Sequence, residues 1–206
     1  MSPNQRFLAL GDSYTIGEGV ADSQRWPEQL VDALRREGWS IATPRIVART
    51  GWTTDELSAA IDQQAFDPPY DLVTLLIGVN NQYRGGGLDR YRAEFRALLR
   101  RAIGFAGQDA QRVVVVSIPD WGVTRFARDG HRDRRQIARE IDAFNAANRA
   151  LAAELGVGYA DVTPASRDRG DEPAMLAEDG LHPSAAMYRR WVAAILPAAR
   201  LALSSP

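Results

Sequence analysis

The sequence predicts a three-layer α/β/α domain built on a parallel, five-stranded sheet, and three observations carry that expectation. Short apolar runs alternate with longer stretches of helical period, the pattern of strands joined by crossover helices. Two of the runs, Leu72 to Ile77 and Val113 to Ile118, are almost unbroken in their apolar character, as strands covered on both faces require. No repeat, low-complexity tract or linker interrupts the 206 residues, so residues 1–206 read as one domain long enough to bury a proper core.

Taken in chain order, Phe7 to Leu10 is the first strand and Pro44 to Ala48 a weaker second. Leu72 to Ile77, Val113 to Ile118 and Val157 to Ala160 are the third, fourth and fifth. Helical segments fall between them at Trp26 to Glu37, Thr54 to Gln64, Leu88 to Ile103 and Arg134 to Leu155, and a last runs from Ser184 to Leu203 with a possible bend at Pro197. Pro27 suits a first helical turn, while Gly38 and Gly156 stand where helices should stop. Leu88, Tyr91, Phe95, Leu98 and Leu99 form one apolar stripe. The run Gly85-Gly86-Gly87 is a flexible loop after the third strand. In such a sheet ligands bind beyond the carboxyl ends of the strands, where strand order reverses. With a flavodoxin-like order of 2-1-3-4-5 that point lies between strands one and three, which directs attention to the residues after Leu10 and after Ile77.

Composition narrows the chemistry. There is no cysteine, which removes thiolate nucleophiles, disulfides and cysteine-based metal sites. All 25 basic residues are arginine, so neither a P-loop lysine nor a Schiff-base lysine exists. With only His131 and His182 present, a multi-histidine metal site is not expected, and one of the two is the natural base near neutral pH. A net charge of -1 gives no reason to invoke nucleic acid or an anionic membrane. The arginines from Arg90 to Arg101 are interleaved with acids and read as a solvated helix face. No stretch approaches the roughly 18 to 20 apolar residues of a membrane span. Residues 1–6 lack a secretion signal, so a cytoplasmic protein is the expectation, although a secreted chain shorn of its leader would read the same way.

Four short motifs carry chemistry. Gly11-Asp12-Ser13-Tyr14-Thr15 follows the first strand and would turn Ser13 into the crevice; the plain alternative is a turn with a capping serine. By composition alone Gly-Asp-Ser arises in roughly one chain in twenty of this size. A serine needs a base, and Asp179-Gly180-Leu181-His182 lies just ahead of the last helix. Its spacing lets the Asp179 carboxylate hold one ring nitrogen of His182 while the other accepts from Ser13; alternatively the pair caps the helix. Asn80, in Gly78-Val79-Asn80-Asn81, can donate its amide to a developing oxyanion or merely tolerate an unusual turn. Gly51, in Thr50-Gly51-Trp52-Thr53-Thr54, can offer its N–H or simply form the turn before a helix capped by Thr53 or Thr54. Three of these motifs follow successive strands, and the fourth supplies the base and its acid.

In this order the blocks resemble those of the SGNH (GDSL-type) hydrolase family across residues 7 to 183. The resemblance implies a flavodoxin-like fold with Ser13, Asp179 and His182 as catalytic triad. It also implies an oxyanion hole from the N–H groups of Ser13 and Gly51 and the Asn80 amide, with no metal or organic cofactor. Many members carry aspartate after the oxyanion asparagine; Asn81 stands there in this chain and removes a charge near the site.

The activity expected is hydrolysis of a small-molecule carboxylic ester, short-chain or acetyl, through an acyl-enzyme. Carbohydrate deacetylation, thioester or lysophospholipid cleavage, and a noncatalytic binding module are the alternatives. Tyr14, Trp52, Tyr83 and Trp121 fall beyond strand ends, where they either line a pocket or pack loops onto the domain. The connection opened by Pro119-Asp120-Trp121-Gly122, which includes Phe126, is a candidate wall or lid. His131 lies in a polar loop and reads as a surface histidine.

Overall fold

The computed structural model describes residues 4–205; residues 1–3, part of the segment read for a leader, lie outside it. Five strands, β1 (Phe7–Gly11), β2 (Arg45–Ala48), β3 (Leu72–Leu76), β4 (Val113–Val116) and β5 (Gly158–Ala160), form one sheet in the order β2-β1-β3-β4-β5. Every pairing is parallel, with Leu10 opposite Val47 on one side and Leu75 on the other. β1, β3 and β4 are buried along their whole length, which is why each is built of apolar residues with little polar alternation. The edge strands β2 and β5 are partly exposed and correspondingly less apolar.

Nine helices accompany the strands among the described residues, two of them after β5. Five are long: α2 (Trp26–Arg36), α3 (Thr54–Asp62), α5 (Leu88–Phe105), α7 (Arg134–Leu155) and α9 (Ala185–Leu203). The others, α1 (Ser13–Ile16), α4 (Val79–Tyr83), α6 (Arg125–Asp129) and α8 (Thr163–Arg169), are one or two turns each. α2 and α9 pack together on one face of the sheet, and α3, α5 and α7 lie side by side on the other. Trp26, Leu30 and Leu34 of α2 and Trp191 and Ile195 of α9 are fully buried between those layers. Tyr91, Phe95, Leu98 and Leu99 do the same for α5, the stripe its sequence predicts. α9 continues through Pro197. No helix among the described residues is long and apolar enough to cross a membrane.

Strand order reverses between β1 and β3, and there the chain leaves both strands straight into a short helix. Ser13 is the first residue of α1 and Asn80 the second of α4. This position converts two sequence motifs into one crevice.

Candidate active site

A cavity of about 240 Å³ opens at this crevice. Ser13, Gly51, Asn80 and His182 all line it, together with Tyr14, Thr50, Val79, Tyr83, Trp121, Phe126 and Leu181. Residues from loops after β1, β2 and β3 thus meet the loop that precedes α9. Only Asp179 among the expected catalytic residues does not line the cavity; it stands behind His182.

The local hydrogen bonds decide against the plain alternatives. The cap of α1 is Asp12, whose Oδ1 accepts from the Tyr14 N–H at 3.0 Å, so Ser13 is not spent on capping. At the first position of α1 the Ser13 N–H has no carbonyl of its own helix within reach. α9 is capped by Ser184, not by Asp179 or His182. Asp179 instead folds its turn around itself. Its Oδ1 accepts from the N–H groups of Leu181 (2.9 Å) and His182 (3.0 Å), and its Oδ2 meets His182 Nδ1 at 2.6 Å. Burial acts to raise the Asp179 carboxyl, but the His182 ring and the two backbone donors outweigh it and hold it below the ordinary range. A carboxylate at Nδ1 leaves Nε2 as the nitrogen that can take a proton.

Asn80 has ordinary helical placement, and the left-handed strain in its turn falls on Gly78. Its amide donates to the Trp52 carbonyl at 2.9 Å, which orients the group and leaves the second N–H for a ligand. One turn later in the chain, Arg84 donates to the Gly51 carbonyl at 2.7 Å and pairs with Glu56 at 3.3 Å. Two consecutive carbonyls of the β2 loop are therefore gripped by Asn80 of α4 and by Arg84 at its end. Gly51 itself has φ +88°, a conformation that a side chain would strain.

The aromatic residues divide. Tyr14 is buried, lines the cavity and packs its ring 5.6 Å from His182 and 5.8 Å from Trp191. Tyr83 and Trp121 also line it, with ring centroids 5.3 Å apart in an edge-on arrangement. Trp52 does not: its ring packs on the core, and what it offers the site is its carbonyl. Direction from a strand end places a residue near a pocket without aiming its side chain. Thr50, Val79 and Leu181 were not singled out by sequence, yet each neighbours a motif residue that was. Phe126 comes from the long connection after β4, where Asp120 caps the Trp121 turn and is held by Arg167 at 2.9 Å. That connection forms a wall, fastened to the acid–base turn by the Phe126 N–H on the Gly180 carbonyl (3.0 Å) and by Arg125 on the Glu178 carbonyl (3.1 Å).

Asn81 does not line the cavity. It is buried against the start of α3, where its amide oxygen accepts from the Thr54 N–H (3.1 Å) and its nitrogen donates to the Thr54 hydroxyl (2.7 Å). His131 is exposed in its loop and also lies outside the cavity. A larger, open hollow of about 880 Å³ between α7 and α8 is lined by ion-paired groups such as Arg149 with Asp161 and Arg167 with Asp142. It contains no serine–histidine pair.

Asp12 has a consequence for stability. It is wholly buried, and desolvation pushes its carboxyl up to about 7 despite the Tyr14 N–H bond that favours the anion. The unfolded chain releases this proton near 4, so between about 4 and 7 the folded state holds more protons and loses stability as pH rises. Urea midpoints of the wild type and Asp12→Asn are expected to diverge in favour of the variant across that window, by at most about 4 kcal/mol, and to run parallel above it. A difference independent of pH would contradict the assignment.

The fold agrees with that of known proteins. The chain matches the GDSL-like Lipase/Acylhydrolase family over residues 9–190. Among solved structures it is similar to TesA, with 22% identity, a TM-score of 0.76, and coverage of 97% of this chain and 100% of that one. It is similar to the psychrotrophic esterase EstA from Pseudoalteromonas sp., with 16% identity, a TM-score of 0.70 and coverage of 98% and 100%. A variant of Axe2, an acetyl xylan esterase from Geobacillus stearothermophilus, shares 21% identity with a TM-score of 0.71 and 98% coverage of each chain. At these identities the likeness is one of fold. No curated protein matches the chain.

Proposed function

From the premise that this chain belongs to the GDSL-like lipase/acylhydrolase family and is a carboxylic ester hydrolase, we propose that Ser13, His182 and Asp179 perform the hydrolysis and that the ester is small. The observation that carries the reading is convergence. Ser13, His182, Gly51 and Asn80 line one cavity, with Asp179 on the ring nitrogen of His182 that faces away from it.

His182 Nε2 takes the Ser13 proton as Oγ bonds to the ester carbonyl carbon, and Asp179 holds the ring in the required tautomer. The carbonyl oxygen becomes an anion stabilised by the N–H groups of Ser13 and Gly51 and by the free N–H of the Asn80 amide. The tetrahedral adduct collapses, the alcohol leaves with the proton from His182, and the acyl group stays on Ser13. Water then repeats the sequence with the same base, releasing the acid and restoring the hydroxyl. A fluorophosphonate is expected to label Ser13 stoichiometrically; folded protein that resists labelling would point to a noncatalytic binding module.

Size argues for short acyl groups. A cavity of about 240 Å³ lies below the roughly 300 to 1,000 Å³ of ordinary small-molecule pockets, which favours a short acyl group. The expected result is a kcat/KM for p-nitrophenyl acetate and butyrate at least about tenfold above that for the palmitate, the order of discrimination that a few unburied methylenes give. A steady rise from acetate to palmitate would sink the short-chain assignment.

A further inference from the structure

We propose that Arg84 is a positioning residue for the oxyanion hole: from outside the cavity it clamps the Gly51 turn, so that the Gly51 N–H keeps a fixed place relative to the Asn80 amide. The inference rests on the esterase reading and deepens it by adding a residue that never meets the ester. The need for a clamp lies in glycine itself. The turn runs from Arg49 to Trp52, closed by the Trp52 N–H on the Arg49 carbonyl at 3.3 Å, with Gly51 at φ +88° in its third position. That value belongs to a type II turn, and glycine reaches it without steric cost. The same lack of a Cβ means that nothing in Gly51 holds it there. The other two donors have helices behind them, Ser13 in α1 and Asn80 in α4. Gly51 stands on a bare loop between β2 and α3, so the direction of its N–H must be fixed by neighbours.

Three neighbours do so, one for each residue of the turn. The Thr50 hydroxyl donates to the Glu18 carboxylate, which ties the turn to the loop after α1. Arg84 Nη2 donates to the Gly51 carbonyl at 2.7 Å, and the Asn80 amide donates to the Trp52 carbonyl at 2.9 Å. The last two come from one helix, since Asn80 is the second residue of α4 and Arg84 stands at its C-terminal end. About a single bond the loop could pivot. Held by two on consecutive peptides it cannot, and the Gly51 N–H and the Asn80 amide become parts of one frame. Arg84 is aimed in its turn. Its Nη1 meets Glu56 Oε1 at 3.3 Å, while Glu56 Oε2 accepts from the Thr53 N–H at 2.8 Å and closes the cap of α3. The guanidinium fork thus bridges the turn to the helix that follows it.

Two plainer roles fit less well. Taken as a surface ion pair, Arg84 and Glu56 are 53% and 43% exposed and 3.3 Å apart, and such a pair contributes little to stability. The shorter bond of Arg84 is the one to the turn. To read an acidic substrate Arg84 would have to face the cavity, which it does not line, and its Nη1 and Nη2 are already engaged by Glu56 and Gly51.

The test is Arg84→Ala in the full-length protein, assayed on p-nitrophenyl acetate. Acylation and deacylation pass through the same hole, so both slow together and KM stays nearly constant. The expected result is a kcat about twentyfold lower with KM within about twofold, a part of the roughly hundredfold or more lost when a donor is removed outright. Labelling of Ser13 by a fluorophosphonate, whose phosphoryl oxygen takes the place of the oxyanion, should slow by a similar factor. The urea midpoint is expected to stay within about 0.2 M of the wild type. Guanidinium ion at about 20 mM, far below the concentrations that unfold proteins, should raise the kcat of Arg84→Ala at least about threefold. Arg84→Lys, which can hold the carbonyl without the fork, should lie between Arg84→Ala and the wild type. A wild-type kcat in Arg84→Ala, or a loss confined to KM, would overturn the proposal. So would a lower kcat that follows a lower urea midpoint and responds to neither guanidinium nor lysine. If the unmodified protein neither hydrolyses the ester nor takes the label, the esterase reading itself fails; an active wild type with an indifferent Arg84 removes the clamp alone.

Discussion

His182→Ala is expected to reduce kcat on p-nitrophenyl acetate by at least about four orders of magnitude, the scale of losses on removing a triad base. Ser13→Ala should lose as much. The double variant should be no worse than either single one, because serine and base act as a unit and the second deletion removes nothing that still operates. His131→Ala, exposed and remote from the cavity, is expected to stay within about twofold of the wild type. Steady-state kinetics on the four variants and the wild type check all four statements. Additive losses in the double variant, or a dead His131→Ala, would mean that the wrong histidine has been assigned.

Gly78→Ala is expected to be strongly destabilising. Gly78 has φ +129°, and a methyl group there would lie 2.4 to 2.8 Å from the Tyr91 ring and hydroxyl. Tyr91 has nowhere to retreat: it is buried, packs 4.4 Å from the Phe144 ring, and its hydroxyl engages the Ile77 carbonyl (3.0 Å) and Asn148 (2.8 Å). Backbone strain and overpacking together suggest a loss of about 4 kcal/mol or more. Gly38 is the control, with φ +93° and nothing near the added carbon, so Gly38→Ala should cost about 1 to 2 kcal/mol. Urea unfolding of the two variants measures the contrast, and equal midpoints would refute it. Since Gly78 leads directly into α4, surviving Gly78→Ala protein should also lose kcat through a displaced Asn80.

Much of this was legible from sequence, for identifiable reasons. β1, β3 and β4 are covered on both faces, so they are written in apolar residues that need no partner to be recognised. β5 pairs over only three residues at an edge, and its burial pattern is too short to show a period. The long helices announce themselves through stripes and stops. α1 and α4, which present Ser13 and Asn80, span four and five residues and leave no room for a helical repeat. Their residues could be picked out only by motif, not by periodicity. α8 is hidden for the same reason, with seven residues that include a proline and five charged or hydroxyl side chains. Trp52 shows the opposite limit. Its position in the chain pointed to the cavity, but the turn at Gly51 sends the ring to the core and leaves the carbonyl for Asn80. The grip of Arg84 on Gly51 depends on two loops meeting and has no signature within either loop.

The seat of Asn81 against α3 joins two positions that are 13 apart in the chain. The Thr54 hydroxyl has a single proton, which it gives to Glu94 at 2.5 Å, and it therefore receives from Asn81. An aspartate at 81 would set two carboxylates against that one proton and leave Arg90, at 2.6 Å, as the remaining donor to Glu94. The two sites share one hydroxyl, so an acid at one favours an amide at the other. Among natural variants of this chain, Asp at 81 is expected to accompany Gln at 94, which ties the residue at 81 to α5 through the Thr54 hydroxyl.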